Sequence, residues 1–284
     1  MGDRVTLTGI TVYPMKGCRG IALDCADVTA TGLRYDRQWM IVDRRGVFCS
    51  QRTIPRMALV ETAFVGDELS LRAPDGSLFA LPLEGALGRE VPVDVHGKPF
   101  RGVDQGNDAA QWARAALDAD VRIVRMCDTY VRPVRGSAVP DAQVAYADAF
   151  SFLVISESSL EDLNGRIIER NQRNRAAAVR MDRFRPNLIV DGCRSYAEDR
   201  WKWIRMGNVI LRNDGLCTRC AVIAVDQATG EREAEPIATL AMYRTMVVTE
   251  GERQQRKSIF GSKYTHANTG ELIVGMAVDV LECR

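Results

Sequence analysis

The sharpest chemistry-bearing feature of this 284-residue sequence is Cys217-Thr218-Arg219-Cys220. Two cysteines at this spacing admit four uses. Half of a zinc site is one, but no second C-x-x-C and no histidine pair completes the tetrahedral set, since His96 and His266 are the sole histidines. A thioredoxin-type redox pair is another. That motif opens a helix, whereas Ala221-Val222-Ile223-Ala224-Val225 reads as strand. Two ordinary half-buried thiols are a third. The fourth is one thiolate acting as soft ligand to a metal held mainly by its own organic cofactor, which asks the protein for a single sulfur.

Basic residues supply the next candidates. Arg166, Arg170, Arg173, Arg175, Arg180, Arg183 and Arg185 crowd one stretch, with Glu169 and Asp182 opposing them. It reads as a solvated helix and loop, as a nucleic-acid patch, or as an anion site using one or two arginines. Aromatic residues are absent between Phe152 and Phe184 and the net charge is +1, which argues against nucleic acid. Near the N-terminus, Tyr13-Pro14-Met15-Lys16-Gly17 turns from strand into a glycine-bearing loop, and Asp36-Arg37-Gln38-Trp39 follows. Each is an ordinary charged turn taken alone. A lysine beside free backbone N–H groups, with an arginine from a neighbouring strand, is also how a phosphate is held.

The elements that must position these residues are mostly strands. Val5–Tyr13 alternates with period two, Trp39–Val42 is a short apolar strand, and Ala58–Phe64, Leu69–Arg72 and Leu78–Leu81 follow between Gly, Asp and Pro turns. A helix over 109–117 is expected, capped by Asn107 or Asp108, then a strand at Val121–Val124. A second helix starts near 156–158, where Ser158-x-x-Glu161 fits a capping box. Strands at Leu188–Val190, Val209–Leu211 and Leu272–Val280, and a short helix at Pro236–Tyr243, complete a β-rich α+β chain. The pattern changes near residue 100, giving a β domain over 1–104 and a second domain over 105–284.

Composition removes several classes. Hydrophobic residues at 46% and charged residues at 26% are ordinary for a globular chain, so disorder and collagen-like repeats are excluded. No apolar run reaches the length of a membrane helix, and the N-terminus has no signal-peptide core. The expectation is a protein with no membrane and no nucleic-acid partner. Eight cysteines scattered mostly singly suit a reduced, cytoplasmic setting. Five lysines leave 33 of the 38 basic residues as arginine, a bias that suits genome composition or planar recognition of phosphate and carboxylate.

Several segments resemble one family in order. Phe184-Arg185-Pro186-Asn187-Leu188-Ile189-Val190-Asp191-Gly192, then Tyr196-Ala197-Glu198-Asp199-x-Trp201, Cys217-x-x-Cys220 and Glu235-Pro236-x-x-Thr239-Leu240-x-x-Tyr243-Arg244 are similar to the MOSC-domain proteins. Tyr13-Pro14-x-Lys16 and Asp36-Arg37-x-Trp39 resemble the N-terminal β domain of the amidoxime-reducing members. The resemblance implies a small N-terminal β domain followed by a MOSC β-barrel domain with peripheral helices. It implies a molybdenum cofactor, a pterin dithiolene with a terminal phosphate, with Cys220 as catalytic metal ligand. Lys16 and Arg37 would bind the phosphate, Arg185 and Asn187 the pterin side, and Asp148 would lie near it. The implied activity is two-electron reduction of N-hydroxylated compounds, hydroxylamines and amidoximes, with a carrier or sulfur-handling protein of the cofactor as the alternative. The sequence has no C-x₄-C-x₂-C spacing and no G-x-G-x-x-G, so a separate electron-donor reductase or small redox protein is implied. Ala149, Phe150 and Lys263 depart from the family pattern, which bears on substrate range. Asp199 and Asp214 are the candidate proton donors by proximity to the motifs.

Overall fold

The computed structural model describes residues 4–85, 88–127, 129–172, 174, 177–250 and 253–284. Arg173 and Arg175 of the basic stretch lie outside them. The first half runs β1 (Thr6–Val12), β2 (Met15–Lys16), β3 (Ile21–Leu23), β4 (Cys25–Thr29), β5 (Gly32–Leu33) and β6 (Trp39–Asp43). It continues with β7 (Glu61–Val65), β8 (Glu68–Arg72), β9 (Leu78–Pro82), β10 (Glu90–Asp94), β11 (Pro99–Asp104), α1 (Gly106–Leu117) and β12 (Val121–Met126). The second half runs β13 (Phe152–Ser156), α2 (Glu157–Arg170), β14 (Leu188–Asp191), β15 (Trp201–Met206) and β16 (Val209–Thr218). It ends with α3 (Ile237–Tyr243), β17 (Thr245–Glu250), β18 (Arg253–His266), β19 (Gly270–Ile273) and β20 (Val278–Cys283). The β-rich α+β class expected from the sequence is the class observed.

Strands from the first hundred residues enter all four sheets. The large sheet has the order β20-β15-β16-β18-β13-β14-β1-β3, with β17 paired to β18. A second sheet is ordered β10-β11-β12-β6-β2, a third β19-β4-β5 and a fourth β7-β8-β9. A register shift between Leu7 and Gly9 interrupts the alternation of β1, so its buried residues are Leu7, Ile10 and Val12, and these pack with Val154, Leu188 and Val190 of the same sheet. Because β1 pairs antiparallel with β14, the chain leaving β1 at Tyr13 emerges beside the chain entering β14 at Asn187. The Thr11 N–H donates to the Asn187 carbonyl at 2.8 Å. Parallel pairing of β2 with β6 then sets Lys16 opposite Met40.

Several local expectations are corrected. The first helix is preceded by Gln105, without a side-chain cap, and starts at Gly106, whose φ of +93° favours glycine. Neither Asn107 nor Asp108 caps it; Asn107 Oδ1 instead accepts from Arg122 at 3.3 Å. For α2 the cap is Ser156, whose hydroxyl accepts from the Ser159 N–H, so the Ser158–Glu161 box lies two residues too late. Residues 55–59 form a 3₁₀ turn after Pro55, and the strand begins at Glu61. The tail expected as one strand over 272–280 is two, β19 and β20, around Gly275 at φ +94°. The apolar run 221–225 is a 3₁₀ turn over Ala221–Ala224 with Ile223 buried, not a strand. A five-residue apolar run buried on one side carries no period that tells the two apart.

A fully buried carboxylate ties the second half together. Glu198 accepts from the Ser156 N–H at 3.2 Å, the Ser156 hydroxyl at 3.0 Å and the Ser159 hydroxyl at 2.8 Å, at the start of α2. Its main-chain carbonyl accepts from Asn213 of β16 and Tyr264 of β18. Burial raises its pKa above the ordinary value, although the Ser159 hydroxyl and the Ser156 N–H pull it down. A carboxyl raised in the folded state contributes stability that is present below pH 4.5 and is lost as pH climbs through the raised value. Urea unfolding of wild type and Glu198→Gln across pH 4 to 8 therefore shows the wild type losing stability relative to the amide as pH rises. A pH-independent difference contradicts this reading of Glu198.

Candidate active site

One cavity of about 280 Å³ collects the residues singled out from the sequence. Lys16, Arg37, Asp148, Arg185, Asn187 and Cys220 all line it, although they come from five separate segments. Each is placed by a specific local feature. Lys16 ends β2 and is buried; its Nζ donates to the Tyr146 carbonyl at 2.6 Å and to the Asp148 carboxylate, and lies 4.7 Å from the Phe48 ring centre. Burial lowers the Lys16 pKa, and the Asp148 charge opposes that shift.

Arg37 and Arg185 share a supporting ring. Both sit at positive φ, +51° and +56°, which directs their side chains off the regular strand path. Their guanidinium carbons lie 4.9 and 4.2 Å from the Tyr13 ring centre. Tyr13 is itself fixed: its N–H donates to Asp36 at 2.8 Å and its hydroxyl to the Pro186 carbonyl at 3.1 Å. Burial pushes the Tyr13 phenol up to about 12 despite the two arginines, so it stays neutral. Arg37 donates to Asp36 and, at 3.0 Å, to the Asn187 side-chain oxygen. Arg185 donates to the Cys18 carbonyl at 2.7 Å. Buried Asn187 also accepts from the Leu153 N–H at 3.3 Å and donates to the Thr11 carbonyl at 3.2 Å, so it locks β1 to the start of β13.

Asp148 stands with its carboxylate 72% exposed toward the cavity mouth. Packing around it raises the cost of its charge, but Lys16 and His96 outweigh that cost and hold its pKa well below the ordinary value. The carboxylate remains ionised at neutral pH, so it orients its neighbours and is not a proton donor. His96 Nε2 lies 3.4 Å from Asp148 Oδ1, and its Nδ1 is 3.3 Å from Arg52.

The cysteine pair is asymmetric. Cys220 is exposed and lies directly before the 3₁₀ turn at 221–224, while Cys217, at the end of β16, is half-buried. Arg219 organises the loop: its N–H donates to the Ser258 carbonyl at 2.8 Å, and its guanidinium donates to the Phe184 carbonyl at 2.7 Å and the Cys217 sulfur at 3.1 Å. Its Nε is buried without a partner. This arginine lies inside the motif and was missed as a functional residue, as were His96 and Arg52; the signal for His96 was histidine scarcity alone.

Two sequence expectations fail here. Asp199 pairs with Arg244 and accepts from the Ser262 hydroxyl at 3.0 Å; Asp214 is fully buried against Arg212 at 2.6 Å. Neither lines the cavity, so neither serves as its proton donor. The basic stretch is also less solvated than expected, since Arg183 is 3% exposed and pairs with Asp226 and Glu233.

The donor set fits a cofactor that brings its own metal ligands. Lys16, Arg37, Arg52, Arg185, Arg219 and Lys263 face the cavity against the single carboxylate of Asp148. That balance favours an anionic occupant, and the unpartnered Arg219 Nε fits a polar edge. Among the described residues no group of three or more His, Cys, Asp or Glu side chains converges on a metal position. The exposed Cys220 sulfur is a soft ligand of the kind such a group can use.

The chain matches the MOSC N-terminal beta barrel domain over residues 4–120 and the MOSC domain over residues 141–279. It is 36% identical to mitochondrial amidoxime-reducing component 1 of Mus musculus over 289 aligned positions, covering 97% of this chain and 82% of the relative. It is 32% identical to the Homo sapiens protein of the same name, over 97% of this chain and 83% of the relative. Mitochondrial amidoxime reducing component 2 of Bos taurus is 32% identical over 95% of this chain and 81% of its own length. With both MOSC domains in the expected order and this chain aligned to its relatives over 95–97% of its length, the chain belongs to the amidoxime-reducing component family of MOSC-domain proteins.

Proposed function

We propose that this protein is a molybdenum cofactor-dependent reductase of N-hydroxylated compounds, with Cys220 as the protein ligand to the metal. The observation that carries the reading is the cavity itself: an exposed cysteine and a ring of cations around one space in a chain akin to amidoxime-reducing components. The end-to-end match favours a reductase over a cofactor carrier. When bound, the cofactor supplies the two-electron exchange that cleaves the N–O bond. Overall, an N–OH group takes two electrons and two protons and yields N–H and water.

The protein's own residues do the rest. Lys16, Arg37 and Arg185 neutralise a phosphate and polar pterin edge, and Tyr13 keeps the two guanidiniums in place. Arg219 fixes the loop that presents the Cys220 sulfur. Asp148 stays charged and holds the His96 Nε2 edge, and this imidazole can give and take a proton at the cavity wall. Electrons reach the site from a separate reductase or small redox protein. Eight free cysteines fit a reducing cytoplasmic setting, and among the described residues no helix is long and apolar enough to cross a membrane.

Two measurements test this. Cofactor-loaded wild type, given a chemical reductant, reduces benzamidoxime, while Cys220→Ser loses both bound molybdenum and at least about 100-fold in turnover, more than removal of an outer-shell group costs. A wild type inert toward a panel of amidoximes and hydroxylamines, or a serine variant with wild-type molybdenum and turnover, overturns it. Lys16→Met removes one buried charge-assisted bond, worth about 2 kcal/mol, and so lowers cofactor retention through gel filtration by about 30-fold in affinity. Undiminished retention means that Lys16 does not hold the cofactor.

A further inference from the structure

We infer that Lys263 and Phe150 form a subsite that favours N-hydroxylated substrates carrying an anionic tail, an inference that rests on the reductase reading. Lys263 lies on β18 with Leu153 of β13 as its cross-strand partner, and both line the cavity, whereas Tyr264, the next residue of β18, is buried in the core and does not line it. Strand alternation therefore commits the Lys263 side chain to the cavity face. On its other flank the partner is Gly215, where the β16 register shifts. Gly215 itself has no side chain, and a Cβ built there would meet nothing within 4 Å among the described residues, so the space beside this cross-strand position is open.

The ammonium is left without a protein anion. Lys16 pairs with Asp148 and Lys202 with Glu282, but among the described residues no carboxylate lies within ion-pair distance of Lys263. Its partner is the Phe150 ring, 4.9 Å from Nζ. Phe150 also lines the cavity, so one wall offers a cation and a flat apolar face side by side. A planar substrate with a carboxylate at its far end satisfies both: the ring packs on Phe150 and the carboxylate takes the charge-assisted bond that none of the described residues provides.

The test compares benzamidoxime with 4-carboxybenzamidoxime on cofactor-loaded wild type, Lys263→Met and Lys263→Arg. Calorimetric binding of the non-reducible benzamide and 4-carboxybenzamide to the same proteins runs beside it. Wild type prefers the carboxylate compound in both kcat/KM and affinity. Lys263→Met lowers that preference about tenfold, the weight of one partly solvated charge-assisted bond, and Lys263→Arg restores it. An equal preference in wild type and Lys263→Met overturns the subsite. So does a Lys263→Met protein that has lost molybdenum, because the lysine then belongs to cofactor binding. A wild type that reduces neither amidoxime sinks the reductase reading instead, and the binding arm still decides the subsite.

Discussion

Two guanidiniums resting on one buried phenol ring is the interaction from which the site is built. Arg37 and Arg185 repel each other, and burial makes their charges costly. Tyr13 meets both at under 5 Å, and Asp36 takes its backbone N–H on one side and the Arg37 guanidinium on the other. The phenol itself is neutral and bonded to the Pro186 carbonyl. Removing the ring would free both cations at once. The arrangement explains why both arginines accept positive φ, a conformation that costs a non-glycine residue energy unless its surroundings over-determine it.

That node exists because of one strand pairing. β1 belongs by sequence to the first half of the chain but pairs with β14 in the large sheet. Asn187 completes the join by spending its side chain on Arg37, Leu153 and Thr11. On the far side of the cavity, Arg219 bonds to Phe184, the residue before Arg185, so the cysteine loop and the cation node share one short segment. Glu198 performs a similar service behind the cavity, holding the start of α2 against β16 and β18.

Much of this was legible in the sequence, and the failures have physical causes. Strand alternation in β1, the apolar run of β6 and the helical spacing of α2 are strong local signals. The residues Lys16, Arg37, Asp148, Arg185, Asn187 and Cys220 stand out in the sequence because their neighbours match a family in order, and the fold brings all six to one cavity. Proximity along the chain misled for Asp199, which ends a 3₁₀ turn and pairs with Arg244, and for Asp214, which pairs with Arg212 two residues earlier on β16. Arg219, His96 and the isolation of Lys263 depend on contacts across long sequence distances, which no spacing reveals. The net charge of +1 hides a cavity where six cations face one carboxylate.

The central claim is that the cavity holds a molybdenum cofactor to which the protein contributes one sulfur, from Cys220. X-ray absorption at the molybdenum edge, on wild-type and Cys220→Ser proteins loaded with cofactor, reads this directly. The account predicts one sulfur scatterer fewer around the metal in the serine protein, with a lighter ligand or none in its place. Identical sulfur shells in the two proteins would contradict it.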